Sequence, residues 1–148
     1  ISIKQEVSED KYSIPIGQAK VLSHGSDLTV VAYGALIREV QRAMVKAKDM
    51  GISVELIDLR TIYPIDKTTV IESIKKTGRL VVVTEGPGSF GVGAELITIA
   101  NEEAFLHLEA PPKRVSGFDT IVPLPKGEHH YIISPDKILF EIEKTVKY

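Results

Sequence analysis

Apolar and polar positions follow two rhythms along this chain. Short runs that read as strands recur at 19–23, 28–32, 53–59, 80–83 and 113–116, with longer stretches of helical spacing between most of them. The run 80–83 is apolar throughout and mostly β-branched, as in a strand buried on both faces of a parallel sheet, and 28–32 reads as a second buried strand. Over 35–50, Leu36, Ile37, Val40, Ala43, Met44 and Ala47 share one helix face, and Gly51 is the stop. Asp66 is placed to cap a helix over 67–76 with Val70, Ile71 and Ile74 inward, ended by Gly78. A helix apolar on nearly every face follows Gly93. Ser134 as cap and Pro135 as first residue open a last helix over 135–147, with Ile138, Leu139, Ile142 and Val146 inward.

This alternation predicts a three-layer α/β/α domain around a mostly parallel five-stranded sheet. The connection His24-Gly25-Ser26-Asp27 has the chemistry of a hairpin turn, which makes 19–23 an antiparallel edge strand. Residues 1–13 are charged and aperiodic and read as a linker from a preceding domain, leaving 14–148 as the folded unit. Prolines and glycines over 117–133 predict an irregular segment.

Composition narrows the classes of function. The chain has 148 residues, 43% hydrophobic and 26% charged, with a net charge of −2, so no basic footprint argues for nucleic acid. The absence of cysteine excludes a disulfide scaffold and thiol catalysis. No apolar run approaches the roughly 18 residues that span a bilayer, so no membrane partner is expected.

The stretch RLVVVTEGPGSFGVGAEL organises the chain. Strand, glycine loop and buried helix follow one another, and such a turn is where ligands and partners approach an open α/β sheet. Gly86, Gly88 and Gly91 match G-x-G-x-x-G, with Glu109 about twenty residues on, the spacing of a dinucleotide site. The context opposes that reading. The motif follows the third strand of the central series, Pro87 lacks the N–H a pyrophosphate would need, and Glu109 does not end a strand. The glycines equally suit a loop that approaches another backbone closely. Glu85 is the one carboxylate well placed for chemistry, and it equally suits holding the loop. Arg60 is expected to pair with Asp58 or Asp66. His129 and His130 diverge in an extended segment and lack a third ligand at metal spacing. The residues therefore present no self-sufficient catalytic set.

Four phrases occur in order: YSIPIGQAKVLSHGSDLTVVAYG, ELIDLRTIYPID, KTGRLVVVTEGPGSFGVGAEL and LHLEAPPKRVSGFDTIVP. Together they resemble the C-terminal domain of the beta chain of the 2-oxo acid dehydrogenase decarboxylating component, over residues 12–148. Pyruvate and branched-chain 2-oxo acid dehydrogenases carry such a chain. The resemblance implies the transketolase C-terminal fold, and a role in assembly and docking within an acyl-transferring 2-oxo acid dehydrogenase. It implies thiamine diphosphate with Mg²⁺ in the assembled enzyme but none on this segment, where no catalytic, cofactor or metal residue is expected. The partners implied are an alpha subunit, a second beta subunit and the peripheral subunit-binding domain of a dihydrolipoyl acyltransferase. Docking of that last module maps onto Glu109 and onto Tyr148 through its carboxylate. Glu85, Gly86, Gly88, Phe90 and Gly91 would shape an interface loop. The location implied is the cytoplasm, or the mitochondrial matrix in a eukaryote. A second reading is the C-terminal domain of another transketolase-type enzyme, a 1-deoxyxylulose-5-phosphate synthase or a transketolase. A third is an independent nucleotide-binding module.

Overall fold

The two buried apolar runs form the centre of a sheet. In the computed structural model, which describes residue 6 and residues 9–148, five strands lie in the order β1-β3-β2-β4-β5. They are β1 (Lys20–Ser23), β2 (Leu28–Ala32), β3 (Val54–Asp58), β4 (Leu80–Pro87) and β5 (Lys113–Gly117). β2 pairs in parallel with β3 and β4, β4 in parallel with β5, and β1 runs antiparallel along β3. The helices are α1 (Leu36–Asp49), α2 (Lys67–Thr77), α3 (Gly91–Ala104), the single turn α4 (Glu128–Tyr131) and α5 (Pro135–Val146).

Successive side chains of a strand point to opposite faces, so one strand feeds two cores. Val30, Leu56, Val81 and Val83 face α1 and α5, where Val40, Ala43, Ile138 and Ile142 meet them. Val31, Ile57 and Val82 face α2 and α3, against Ile71, Ile74, Leu96 and Ile99. Each such Val, Leu or Ile contributes about 1.5–3 kcal/mol when fully buried. Both faces of the sheet are covered by the chain's own helices. The expected caps form as read: Asp66 accepts from the Thr69 N–H at 3.1 Å, and Ser134 accepts from the Lys137 N–H at 3.3 Å.

A polar cluster sits near the amino ends of the parallel strands. Glu55 is buried and accepts from Ser73 Oγ at 2.6 Å, from Lys76 Nζ and from the Gly25 N–H. His24 Nδ1 lies 3.4 Å from the same carboxylate. Behind it, the Thr29 hydroxyl lies 2.7 Å from those of both Ser73 and Thr77. Burial pushes the Glu55 carboxyl up. The hydrogen bonds from Lys76, Ser73 and Gly25 together outweigh it and hold the group below its ordinary range.

Three expectations are corrected here. β1 is the antiparallel edge, but it does not form a hairpin with β2, because β3 lies between them. Both hydrogen-bonding sides of β2 are taken by parallel neighbours. The 24–27 connection instead crosses the start of β3 so tightly that a Cβ on Gly25 would lie 2.2 Å from the Val54 carbonyl carbon. Second, β4 continues through Glu85 and Gly86 to Pro87, which pairs with Gly117 after a register shift. β2 leaves β4 after Val82, so the end of β4 has a free side that tolerates a proline. Third, the segment 117–133 contains the helical turn α4, where the His129 and His130 rings do not diverge but lie 3.8 Å apart between centroids. In the β1–β3 pair the register slips between Val21 and Ser23. Of the expected linker, residues 1–5, 7 and 8 lie outside the described residues.

Candidate functional site

The carboxyl ends of the parallel strands carry the first group of candidates. Beyond its last contact with β2, β4 lifts Glu85 into solvent. Burial raises the Tyr33 phenol pKa at the end of β2, and the Glu85 charge at the end of β4 raises it further. That crevice is the reversal point of the strand order, with α1 leaving on one face and α3 on the other.

After Pro87 the chain is held by a residue that the sequence does not flag. Asp119, beyond β5, accepts from the Ser89 hydroxyl and from the Ser89 N–H at 2.9 Å. These bonds, with one from the Gly88 N–H, hold the Asp119 carboxyl below the usual carboxylate range. Pinned there, the loop presents Phe90 at 88% exposure with φ 60° and ψ −155°, a region natural to glycine only. Gly91 follows at φ +76° and opens α3.

The candidate glycines do different things. A Cβ on Gly86 or Gly91 would meet nothing within 4 Å, so neither serves a close approach among the described residues. Gly88 lies against the Ser116 hydroxyl and Asp119. The tight approach belongs to Gly117 instead, where a Cβ would lie 2.8 Å from the Glu85 carbonyl oxygen and 2.7 Å from the Tyr131 hydroxyl. Glu85, Gly86, Phe90 and Gly91 thus stand exposed along one ridge with Gly88 half-buried among them, braced by Asp119 and Gly117.

The second group lies at the other end of the sheet. After α3 a 3-10 turn, Phe105–His107, leads to Glu109. The Glu109 N–H donates to the Gly78 carbonyl at 2.7 Å, and Arg79 Nη1 lies 2.7 Å from Oε2. Arg79 Nε is buried without a partner among the described residues, so this guanidinium depends on Glu109. Oε1 accepts no bond among the described residues, and the Glu109 side chain is 62% exposed. Tyr148 comes back to the same place. Both residues line a groove of about 540 Å³ with Phe105, Leu106, Pro111 and Pro112, and Leu106 is 93% exposed. The structure therefore brings Glu109 and Tyr148 together, beside apolar side chains. It leaves both distant in sequence and in fold from the Phe90 ridge.

Arg60 pairs with Asp58, at 3.7 Å between Nε and Oδ2, and not with Asp66, whose carboxylate caps α2 and accepts from the Ala19 N–H. No group of three or more His, Asp or Glu side chains is placed to hold a metal among the described residues, and no described helix is long and apolar enough to cross a membrane.

A sequence profile for the transketolase C-terminal domain matches residues 17–138. Over 144 residues the chain is 55% identical to the pyruvate dehydrogenase E1 component subunit beta of Acholeplasma laidlawii, covering 97% of this chain and 44% of that protein. Over 148 residues it is 45% identical to the protein of the same name from Mycoplasma genitalium, covering 99% of this chain and 45% of that one. The chain thus spans less than half the length of these relatives. Among solved structures, a split gene transketolase in an inactive beta4 tetramer superposes with a TM-score of 0.81 at 23% identity, over 97% of this chain and 46% of that one. The chain belongs to the transketolase C-terminal domain family, and over its whole length it is similar to beta subunits of pyruvate dehydrogenase.

Proposed function

We propose that this chain is the assembly and docking domain of the beta subunit of a thiamine diphosphate-dependent 2-oxo acid dehydrogenase working in the cytoplasm. The names of its relatives favour pyruvate as the 2-oxo acid. The observation that carries the docking part is the groove where Glu109 and Tyr148 meet. An exposed carboxylate with one free oxygen lies there beside exposed Phe105 and Leu106. Such a surface suits a small basic module, with apolar side chains for affinity and the carboxylate for register. The Phe90 ridge supports assembly with a second beta subunit and an alpha subunit. An aromatic residue held out in strained backbone and 88% exposed is arranged for contact with a partner.

Thiamine diphosphate with Mg²⁺ requires donors for a pyrophosphate and oxygen ligands for the cation. The described residues of this chain do not fit that group. Pro87 has no N–H, and those of Gly88 and Ser89 are committed to Asp119. The cofactor is accordingly assigned to the assembled enzyme, and no step of its chemistry is assigned to these residues.

Calorimetry tests the docking part, with the chain titrated separately by a purified alpha subunit and by a peripheral subunit-binding domain. We expect salt-sensitive binding of the latter, weakened about tenfold by Glu109→Gln, or about 1.4 kcal/mol. Glutamine keeps an acceptor for Arg79, so the fold is retained while the charge is lost. Deletion of Tyr148 should weaken binding similarly. Binding indifferent to both changes, or absent altogether, overturns the docking role.

A further inference from the structure

One feature of the carboxyl edge belongs to neither surface. At the end of β3, Arg60 has φ 57°, a left-handed conformation that is uphill for any residue with a Cβ. Asp58 holds it there, accepting from the Arg60 N–H at 3.2 Å. A groove of about 630 Å³ opens beside it, and Arg38 of α1 lines the same groove. Arg38 is half-buried, and its guanidinium makes no hydrogen bond or ion pair among the described residues. The remaining walls include Ile14, Ile16, Ile37 and the amide-bearing Gln41.

Each of these observations points to something that is bound. A half-buried guanidinium that meets no partner among the described residues has given up part of its hydration for nothing there. Its planar fork matches the oxygens of a carboxylate or phosphate. Two arginines face one lining carboxylate, Asp58, so the groove carries excess positive charge. Glycine would occupy the Arg60 position at lower energy, so what the strain retains is the Arg60 side chain, paired with Asp58 and lining the groove. Small-molecule sites commonly measure roughly 300–1,000 Å³, and in open α/β sheets they lie beyond the carboxyl ends of the strands.

We propose that this groove binds a small organic anion, its carboxylate or phosphate held by Arg38 and Arg60 and its apolar body laid against the isoleucines. Phenyl phosphate and phenylacetate are suitable probes, and they separate the two kinds of head group. Benzyl alcohol tests whether the charge matters. Titration of the chain by calorimetry should show saturable binding of at least one anion and none of the alcohol. Arg38→Gln should weaken that binding about tenfold, the effect of losing one charged hydrogen-bonding partner. Arg60→Gly should weaken it as much while raising the melting temperature, because the left-handed strain is relieved. This opposition of sign distinguishes a binding residue from a structural one. No binding of either anion overturns the proposal, as does affinity unchanged in both variants, or an alcohol that binds as tightly as the anions.

Discussion

Around Glu55 the carboxylate and the hydroxyls of Thr29, Ser73 and Thr77 meet partners, and none of these residues has a positive φ. Around Phe90 the backbone is forced into a glycine-only conformation and the side chain stands in water. The two regions occupy opposite ends of the same parallel strands. At the amino end, buried hydroxyls and a carboxylate satisfy one another, so stability is the product. At the carboxyl end, Arg60 and Phe90 hold unfavourable φ values and Arg38 lacks a partner among the described residues. Energy has been left unspent in the place where an open α/β sheet meets other molecules.

The difference can be broken first at Glu55. Glu55→Ala removes the acceptor for Ser73, Gly25 and Lys76 and leaves the interior hydroxyls short of a partner. The expected loss is about 3 kcal/mol, read from the midpoint of urea unfolding. A loss below about 1 kcal/mol would mean that water or Lys76 alone repairs the site. Phe90→Gly works in the other direction. Released strain outweighs the added freedom of the unfolded chain, for a gain of about 1 kcal/mol, while any self-association seen by sedimentation should weaken. A destabilised variant would show that the ring packs within the chain after all.

The smallest effect is a bend in the pH profile. The Glu55 carboxyl is held below its ordinary value of 4.5 in the folded chain. Its contribution is therefore fully present above that value and is lost as pH falls through the lowered folded pKa. Unfolding free energy should decline more steeply below about pH 4.5 in the parent than in Glu55→Gln. Parallel profiles would remove Glu55 from the account.

Local signals read well from the amino acids alone. The runs at 28–32 and 80–83, the inward faces of α1 and α5, and the caps at Asp66 and Ser134 depend on neighbours a few positions away. The strand neighbours of β1 did not, because pairing with β3 or β2 is decided after the chain has closed. A turn rich in Gly, Ser and Asp serves a hairpin and a crossover alike. Turn-like Glu85-Gly86-Pro87 joined a strand because β2 had already departed on one side. Of the candidate residues, Glu109 and Tyr148 could be placed together only by resemblance, and Arg79 and Asp119 left no local mark. Strain at Arg60 and Phe90 is likewise invisible until backbone angles are known.

The slip in β1 has a consequence for association. A sheet edge normally offers a row of free amides and carbonyls to any passing strand, a route to unwanted polymers. Here that edge is four residues long, opens on Lys20 and loses register halfway. An incoming strand would find no continuous ladder to extend. Contacts between molecules are thereby steered away from the generic backbone and toward side chains on loops and grooves, where one partner can be told from another.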